Sequence, residues 1–340
     1  MAPVTIRDVA REAGVSPGTV SRAINGSPLV SESTRQRVLQ VVQDLQYSPN
    51  LTARRLSLGK TLTISVILPF LTRPSYIERL NGVIAALTPS QYDMVIHSVQ
   101  TSEQRQSIFQ DIIRRERADG VLIISLPPMD SEVEFLANAD IPIVLIDAIH
   151  PELNDLNQVF IDDIEGGEMA TRHLIELGHK KIGYIGDIFD TPFRFSSNRD
   201  RYHGYRIALE EAGLPFNETY YAEDEHGRLE AKHLAYQMLS QDDPPTAIFA
   251  YSDTNAWGIM EAAQELSVSI PEDLSIIGFD NLEIAEYLKI TTIYQPLFDS
   301  GQRGMQLLLE KLEQPHKPAV QEKQEIQLII RETTAPPKQD

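Results

Sequence analysis

Short apolar runs alternate with amphipathic segments from residue 62 onwards, and this alternation restricts the fold of the chain more than any other feature. An apolar run of about four to eight residues predicts a strand buried on both faces, and helical periodicity predicts a helix that covers it. The runs are TISVIL, DMVIHSV, GVLIIS and IPIVLID in the first half, and KIGYIG, TAIFAY and LSIIGFD in the second. The helical segments lie near 76–87, 104–117, 130–138, 198–213, 228–240 and 254–266. Two such sets predict two lobes, each with a parallel sheet between layers of helices.

Residues that directly follow the apolar runs are candidate ligand contacts, because open parallel sheets bind ligands beyond the carboxyl ends of their strands. These residues are Pro69, Phe70, Ser125, Asp147, Ser252, Asp253 and Asp280. The aspartates have a second interpretation, since an aspartate after a strand also serves as the N-cap of a following helix. The sequence therefore predicts a ligand cleft and leaves both interpretations of its aspartates open.

The charge of the chain is unevenly distributed and separates the first sixty residues from the remainder. The whole chain carries 30 lysines and arginines against 49 aspartates and glutamates, a net charge of −19. Residues 1–60 contain eight basic and four acidic residues, a net +4, which leaves 22 basic and 45 acidic residues, a net −23, in the rest. A basic head on an acidic body is typical of a protein in which only the head contacts phosphate. Accidental clustering is the alternative that charge alone leaves open.

The head contains the start and stop signals of three helices. Thr5 followed by Asp8 predicts the start of the first helix, and Gly14 ends it. Ser16 and Ser31 are suitable N-caps for the second and third helices. The apolar stripes are Ile6, Val9, Ala10 and Ala13 in the first helix, Val20, Ala23 and Ile24 in the second, and Val38, Val41, Val42 and Leu45 in the third. The outward residues of the third helix are Arg35 and Arg37.

Two short helices joined by a tight turn and supported by a third form a helix-turn-helix, whose second helix enters the major groove of DNA. The outward residues of that helix are Pro17, Gly18, Ser21 and Arg22. The Arg22 guanidinium can donate two hydrogen bonds to O6 and N7 of a guanine. The hydroxyls of Ser16, Thr19 and Ser21 suit phosphates. A generic helical hairpin with a surface arginine is the alternative.

The whole head, from Thr5 to Thr61, resembles the LacI/GalR family of bacterial regulators. Its motifs are DVAREAGVS in the first helix, TVSR-x-x-N-G across the second and YxPN-x-x-AR-x-L further on, and the resemblance continues through the body. It implies that residues 50–58 form a hinge helix in the minor groove and that Leu56 inserts between the central base pairs. Such a short segment is not a stable helix alone in water, so it is expected to order only on DNA beside a partner hinge. An ordinary linker leucine is the alternative for Leu56.

The DNA contacts that follow from the motif and the resemblance are Thr5, Ser16, Pro17, Gly18, Thr19, Ser21, Arg22, Asn25, Asn50, Ala53, Arg54 and Leu56. Pro17 and Gly18 depart from the family pattern, because many members carry base-reading polar side chains at these positions. Neither can read a base edge by a side-chain hydrogen bond. Specificity is therefore expected to depend on Arg22, on backbone or apolar contacts, and on DNA shape.

The body resembles the periplasmic sugar-binding fold, which implies three chain crossings between the lobes, near 161–163, 289–293 and 320–325. The resemblance implies ligand contacts at Asp147 in PIVLID, Arg201 in RYHGY, Asp280 in GFDN and Gln295 in TTIYQ. The Arg201 guanidinium matches a family arginine that forks toward ligand hydroxyls or carboxylates. Ser252 replaces an asparagine often found in the family, and His226 falls where some relatives place a stacking tryptophan.

Aromatic residues complete the predicted effector site, since Phe70, Tyr76 and Phe193 are candidate stacking faces for a sugar ring. The full predicted set is Phe70, Tyr76, Asp147, Phe193, Arg201, His226, Ser252, Asp280 and Gln295. Arg201 has an alternative as a surface ion-pair partner, and the aspartates keep their alternative as helix caps.

The predicted fold class is α/β, with an N-terminal all-α helix-turn-helix head and a two-lobed, periplasmic-binding-protein-like core of doubly wound parallel sheets. The predicted domains are a DNA-binding domain over 1–49, a hinge helix and linker over 50–60, an N-terminal effector lobe over 61–161 with 293–322, and a C-terminal effector lobe over 162–292 with 323–340.

The expected function is a ligand-responsive transcriptional regulator, a repressor, that binds a pseudo-palindromic operator as a homodimer and responds to a sugar-like effector. The expected partners are double-stranded operator DNA, the effector and a second copy, without a membrane. A cytoplasmic location is expected, because the chain lacks cysteine, a signal-peptide pattern and a membrane-spanning apolar run. No metal, cofactor or enzymatic activity is expected, because HExxH, P-loop, GxGxxG and GxSxG motifs are absent. The competing interpretation, a solute-binding protein, would need an export signal in place of the basic head.

Overall fold

The computed structural model describes residues 4–24, 26–47, 59–112, 117–189, 193 and 195–338. The chain divides into two compact units, Met1–Thr61 and Leu62–Asp340. None of the helices in these ranges has the length and apolar character needed to cross a bilayer.

The first unit contains the three helices that the sequence predicts, α1 (Ile6–Ala13), α2 (Pro17–Ile24) and α3 (Glu32–Asp44). The Asp8 carboxylate accepts hydrogen bonds from the backbone N–H and the hydroxyl of Thr5, at 3.0 and 2.7 Å, and fixes the first turn of α1. Helix α1 ends at Gly14, whose φ of 65° is the left-handed conformation that favours glycine. Each helix contributes a fully buried valine to the head core, namely Val9, Val20 and Val38.

Arg35 differs from the prediction that it faces outward. Its side chain is half-buried, and its Nη2 donates a 2.9 Å hydrogen bond to the carbonyl oxygen of Ser27. The long side chain reaches back over the turn between α2 and α3, and this bond stabilises that turn. Arg37 is exposed, as predicted.

The second unit consists of alternating strands and helices. In chain order they are β1 (Thr63–Pro69), α4 (Pro74–Leu87), β2 (Asp93–Val99), α5 (Ser102–Ile112), β3 (Gly120–Ile124), α6 (Asp130–Ala137), β4 (Ile143–Ile146), β5 (Asn157–Phe160), α7 (Asp163–Glu176), β6 (Ile182–Asp187), α8 (Ser196–Glu211), a 3-10 turn (Glu218–Tyr220), β7 (Tyr221–Asp224), α9 (Arg228–Leu239), β8 (Ala247–Ala250), α10 (Asp253–Glu265), β9 (Ser275–Asp280), α11 (Glu283–Tyr287), β10 (Thr291–Tyr294), α12 (Leu297–Glu313), β11 (Gln321–Lys323) and β12 (Gln327–Ile329).

The strands form two six-stranded sheets, one for each lobe. The first sheet has the order β11-β5-β4-β3-β1-β2 and all of its pairs are parallel. Helices α4 and α12 cover one of its faces, and α5 and α6 cover the other. The second sheet has the order β12-β10-β9-β8-β6-β7, in which only the β10–β12 pair is antiparallel. Helices α7 and α8 cover one face of this sheet, and α9 and α10 cover the other.

The chain passes between the two sheets at residues 161–162, 295–296 and 324–326. The first and third crossings overlap the predicted ones, but the prediction of a crossing near 289–293 is wrong. Strand β10 pairs in parallel with β9, so the chain leaves the second sheet only after Tyr294. The run TTIY begins with two threonines and is as polar as a typical loop. These threonines are β-branched, which favours a strand, and they are fully buried in the sheet.

Glycines bring two helix pairs into close backbone contact. A Cβ added to Gly82 of α4 would overlap the Phe298 carbonyl oxygen, and one added to Gly301 of α12 would overlap the Arg79 carbonyl oxygen. In the second lobe, a Cβ on Gly167 of α7 would overlap the Arg201 carbonyl oxygen in the same way. The two lobes therefore hold the backbones of Arg79 and Arg201 by the same device.

A buried histidine connects the second sheet to the C-terminal segment. Nδ1 of His179 lies 2.9 Å from the Thr246 hydroxyl, and its Nε2 lies 3.0 Å from the Ser275 hydroxyl and 2.9 Å from the Ala335 carbonyl oxygen. Burial lowers the pKa of His179, so the folded protein keeps this ring neutral where a histidine of the unfolded chain takes up a proton.

We expect the contribution of His179 to stability to fall as the pH decreases through the normal histidine range of about 6.5. In that window this histidine binds more protons in the unfolded chain than in the folded chain, so at this position acidification favours unfolding. Urea unfolding at about pH 7.5 and at about pH 5.5 measures the loss, and the His179→Gln protein should lose less between the two values. His173, whose pKa burial also lowers, is present in both proteins and causes a loss that they share. Equal losses in both proteins would therefore show that His179 contributes nothing, and would contradict this assignment.

Candidate functional site

The outward surface of α2 brings together the residues predicted to contact DNA. Pro17, Gly18 and Arg22 are exposed, while Thr19 and Ser21 are half-buried. Ser16 caps the helix, since its Oγ accepts a 3.1 Å hydrogen bond from the Thr19 N–H. Thr5 is exposed at the start of α1. The predicted contacts Asn25, Asn50, Ala53, Arg54 and Leu56 lie outside the described residues.

The shape and charge of α2 suit the major groove. Pro17 and Gly18 have little or no side chain at the start of the helix, so the backbone there can approach a base edge closely. Arg22 lies in the last turn, where an exposed guanidinium can reach a guanine with two donors. The surface thus presents one exposed guanidinium beside small residues and hydroxyls.

A second candidate site is a narrow cleft of about 40 Å³ between the carboxyl ends of the two sheets. The residues lining it are Arg73, Ser75, Tyr76, Arg79, Ser125, Pro127, Asp147, Phe195, Ser196, Ser197, Arg201, His226, Tyr251, Ser252, Asp280 and Gln295. Both lobes contribute, because the lining includes residues at or just after the carboxyl ends of β3 and β4 in the first lobe and of β8 and β9 in the second.

Seven predicted effector contacts lie together in this lining, namely Tyr76, Asp147, Arg201, His226, Ser252, Asp280 and Gln295. Phe70 and Phe193 do not. Their rings pack edge to face, with centroids 5.2 Å apart, and Phe193 is buried in the core of the first lobe. Buried Arg105 also donates a 3.2 Å hydrogen bond to the Phe193 carbonyl oxygen. Phe193 is therefore a core residue, and its neighbour Phe195 lines the cleft, beside Tyr76 and Tyr251.

Several lining residues were not in the predicted set, and most of them start helices. Ser75 lies in the first turn of α4, and Ser196 and Ser197 begin α8, so the signal was the helix start that follows each strand. Arg79 lies one helical turn beyond Tyr76, and this spacing places the two side chains on the same face of α4. A prediction based on strand ends alone misses both the residues at helix starts and Arg79.

Arg79 organises the first-lobe side of the cleft. Its guanidinium donates to the hydroxyl of Ser125 at 2.9 Å and to Oε1 of Gln295 at 3.0 Å, and Nη2 lies 3.0 Å from the Asp147 carboxylate. The Ser125 hydroxyl in turn donates to Asp147 at 3.0 Å. Asp147 thus caps no helix here, because its carboxylate is held by an arginine and a serine.

Arg201 organises the second-lobe side in the same manner. Its Nε donates a 2.7 Å hydrogen bond to Asp163, and Nη1 lies 2.8 Å from the Tyr251 carbonyl oxygen and 3.7 Å from the Asp280 carboxylate. The guanidinium stacks 3.5 Å from the centroid of the Phe279 ring. Arg201 is buried, so the alternative of a surface ion pair is wrong.

Two connections cross the cleft from one lobe to the other. The Gln295 amide accepts from Arg79 and donates to Asp280, so it joins the two arginine clusters through one side chain. On another side, Arg73 lies 3.8 Å from the Asp187 carboxylate, which also contacts Nδ1 of His226 at 2.9 Å. A ligand that enters the cleft must contact or replace parts of these connections.

Asp253 has a structural role that neither predicted interpretation includes. Ser252 is the N-cap of α10, since its Oγ accepts from the Asn255 N–H at 3.2 Å. The fully buried Asp253 carboxylate accepts from the Leu282 N–H at 2.7 Å and from the Thr292 hydroxyl at 2.6 Å. Asp253 therefore supports the turn that follows β9 and carries Asp280.

The protonation of the cleft is set by burial. Burial raises the pKa of Asp280, and the nearby Arg201 guanidinium opposes that rise. Burial also raises the pKa of Tyr76 to about 12, so its hydroxyl stays protonated at neutral pH and can donate a hydrogen bond. The cleft thus combines anionic acceptors with neutral and cationic donors.

Strained backbone conformations occur at the strand ends that form the cleft. Ser125 and Asp147 in the first lobe have φ of 48° and 51°, and Asp280 in the second has φ of 109°. Non-glycine residues rarely adopt positive φ, and such strain is common at binding sites. No group of three potential metal ligands occurs among the residues described.

Two known families match separate parts of the chain, one in the head and one in the body. The family described as "Bacterial regulatory proteins, lacI family" matches residues 5–50, and the "Periplasmic binding protein-like domain" matches residues 171–334. Catabolite control protein A of Priestia megaterium is 34% identical over 307 residues, which cover 90% of this chain and 91% of the relative. The HTH-type transcriptional repressor PurR of Vibrio vulnificus is 33% identical over 333 residues, which cover 97% of this chain and 98% of the relative.

Solved structures show the same architecture. The lac repressor dimer bound to operator and the anti-inducer ONPF has a TM-score of 0.85 and 25% identity, and the match covers 98% of this chain and 99% of that one. The transcriptional regulator CelR in complex with cellobiose has a TM-score of 0.71 and 28% identity over 97% of this chain and 99% of its own. A regulator from Enterococcus faecium with bound ribose has a TM-score of 0.71 and 27% identity, and the match covers 81% of this chain and 100% of that one. The predicted fold class, a helical head with a two-lobed α/β core, is confirmed.

Proposed function

The chain belongs to the lacI family of bacterial regulatory proteins, and from this premise we propose that it is a transcriptional repressor controlled by a small ligand. A homodimer binds a pseudo-palindromic operator with its two heads, and an effector in the cleft of each body changes the affinity for that operator. The preferred effector class is a sugar or a sugar derivative. The cellobiose and ribose found in two similar structures support this class.

One observation carries this proposal, namely the chain of ion pairs and hydrogen bonds from Asp147 through Arg79 and Gln295 to Asp280 and Arg201. It joins the two lobes across the cleft. A ligand that pairs with these groups in one arrangement of the lobes, and not in another, shifts the balance between the two arrangements. Whether the ligand releases or strengthens DNA binding depends on which arrangement it binds more tightly.

The division of labour along the chain follows the predicted domains. We assign DNA reading to residues 1–49, one effector lobe to residues 61–161 with 293–322, and the other lobe to residues 162–292 with 323–340. The hinge helix and linker expected over 50–60, with Leu56, stay a prediction, since residues 50–58 lie outside the described residues. The two sheets and the exposed α2 surface support this division. One boundary of this division changes, because residues 293 and 294 belong to β10 and pair with β9 in the second sheet. We assign no catalytic step to any of these parts, in keeping with relatives that are named as regulators.

Fluorescence anisotropy with labelled promoter fragments tests the proposal directly. The fragments come from the DNA that flanks the gene of this protein, and an unrelated fragment of equal length serves as the control. We expect tight binding to at least one flanking fragment and a change in that affinity when sugars are added. Binding that is equal on every fragment, with and without sugars, would contradict the proposed function.

We expect Arg22→Ala to lose about 1–3 kcal/mol of preference for the operator over unrelated DNA, because a bidentate arginine–guanine contact is lost. Affinity for ligand should stay unchanged, since Arg22 belongs to the head. The measurement is the ratio of operator to unrelated-fragment affinity at one fixed salt concentration.

Arg37→Ala is the matched control for this change. Arg37 is exposed on α3 and has the same charge, so its loss should weaken binding to both fragments alike. If Arg22→Ala also weakened both fragments to the same degree, Arg22 would contact phosphate and would not read a base.

A further inference from the structure

The charges of the cleft are already paired with one another. Arg79 pairs with Asp147 at 3.0 Å, and Arg201 pairs with Asp163 at 2.7 Å. The weaker pair is Arg73 with Asp187, at 3.8 Å. Each of the three arginines among the described lining residues therefore has a carboxylate partner.

A count of these charges gives a cleft close to neutrality. The three guanidinium groups face four carboxylates, because Asp280 joins the partners of Arg201. The N-termini of α4 and α8 also face the cleft through Ser75 and Ser196, and no side chain of their N-cap residues caps them. Each helix N-terminus contributes about half a positive charge, so the two together offset the one extra carboxylate. The arginines, their carboxylates and the two helix termini together therefore require no charge from a ligand.

The uncharged groups of the cleft are numerous and suit a neutral molecule. Five serines line it, Ser75, Ser125, Ser196, Ser197 and Ser252, together with the hydroxyls of Tyr76 and Tyr251 and the amide of Gln295. Hydroxyls and amides both donate and accept, so they pair with ligand hydroxyls of either orientation. An anion bound here would lose its hydration without gaining an unpaired cation as a partner. The burial of such an anion costs far more free energy than the burial of a hydroxyl without a hydrogen-bond partner.

We propose that the cleft selects an electrically neutral ligand rich in hydroxyl or amide groups and rejects its phosphorylated or carboxylated derivatives. The paired carboxylates, above all Asp147 and Asp280, are the residues that determine this selectivity. They hold the arginines that an anion would otherwise use. This inference rests on the proposed function, because it names the class of effector for the same cleft.

Inorganic phosphate is a direct probe of the proposal, and it requires no knowledge of the natural effector. The melting temperature of the full chain is measured in phosphate and in chloride at equal ionic strength. The proteins are the wild type, Asp147→Asn, Asp280→Asn and the control Asp130→Asn, whose carboxylate is exposed on the first lobe. The control reports the general stabilisation of folded proteins by phosphate, which all four proteins share.

The wild type and the control should show the same small phosphate effect. Asp147→Asn releases Arg79, and Asp280→Asn removes the carboxylate that is in excess over the three arginines, so phosphate should raise both melting temperatures by about 2 °C or more beyond the control. Circular dichroism confirms that each variant is folded before the comparison. If neither folded variant gained phosphate stabilisation, or if phosphate stabilised the wild type beyond the control, the proposal would be overturned.

Calorimetry with matched pairs supplies the second arm. The neutral sugars glucose, galactose and ribose are each compared with their phosphate esters, and a neutral ligand should bind at least about a hundredfold more tightly than its ester. An ester that binds more tightly than its parent sugar overturns the proposal. Operator binding by the same preparations is measured separately, so a failure of the proposed DNA-binding function is distinguishable from a failure of charge selection.

Discussion

Replacement of Arg201 by alanine is expected to abolish the response to effector and to lower the free energy of unfolding by about 3–5 kcal/mol. The guanidinium is buried and pairs with Asp163 at 2.7 Å, so alanine leaves a buried carboxylate without its cation. Asp280 loses its nearest guanidinium of the second lobe as well. The variant thus loses the proposed hydrogen-bond donor to the ligand and the ion pair beside Asp280.

The test combines two measurements on the same preparation. Effector titration of the operator complex reports the response, and urea unfolding reports stability. Operator affinity without effector should remain near that of the wild type. Arg172→Ala is the matched control, because Arg172 forms a half-exposed ion pair on α7, and its loss should cost less than about 1 kcal/mol with a full response.

A double variant separates stability from ligand binding. Arg201→Ala with Asp163→Asn removes the unpaired carboxylate, so it should recover part of the lost stability while the response stays absent. A full effector response in Arg201→Ala would show that this residue belongs to the structural core alone, and the assignment of the cleft as the effector site would be wrong.

Gly167→Ala is expected to destabilise the body by about 3 kcal/mol or more, because the new methyl group would overlap the backbone carbonyl oxygen of Arg201. Backbone cannot rotate away as a long side chain can, so helices α7 and α8 must separate. That separation also moves Arg201 and weakens the effector response. Gly301→Ala should act in the same way on Arg79 in the first lobe.

Gly18→Ala provides the comparison for these glycine changes. The nearest atoms to a Cβ at Gly18 are the Ser16 hydroxyl at 3.8 Å and the Arg22 guanidinium at 4.0 Å, which are ordinary contacts. Alanine should therefore stabilise α2 by about 0.5–1 kcal/mol. Urea unfolding of all three variants measures these differences. Wild-type stability in Gly167→Ala would disprove the close helix contact.

The fold was largely predictable from sequence because its central strands are fully buried. Short, continuously apolar runs such as GVLIIS and TAIFAY are typical of strands buried on both faces, and both form such strands. The strands that sequence reasoning missed are short, and most are polar or lie at a sheet edge, as NQVF and QEK show. Their pairing depends on a neighbour that is distant in the chain, and local periodicity contains no record of that neighbour.

The cleft was predictable where a residue follows a strand, and less so where it lies on a helix. Asp147 and Asp280 end apolar runs, so topology alone places them at the mouth of the sheet. Arg79 has no such signal, because its role depends on Asp147 and Gln295, which lie far along the chain. The DNA contacts expected at Asn25 and over residues 50–56 stay predictions, and the Arg22 experiment tests only the α2 surface.

The left-handed conformations at the strand ends have a consequence for laboratory evolution. Each such residue holds the protein about 1–3 kcal/mol above a relaxed backbone. Glycine at Asp147 or Asp280 would relieve that strain, but it would also remove the carboxylate beside a buried guanidinium, which costs about 3–5 kcal/mol. A selection for heat tolerance alone would therefore keep aspartate at both positions in spite of the strained backbone. Only a selection that tolerates a less stable protein would change these two codons.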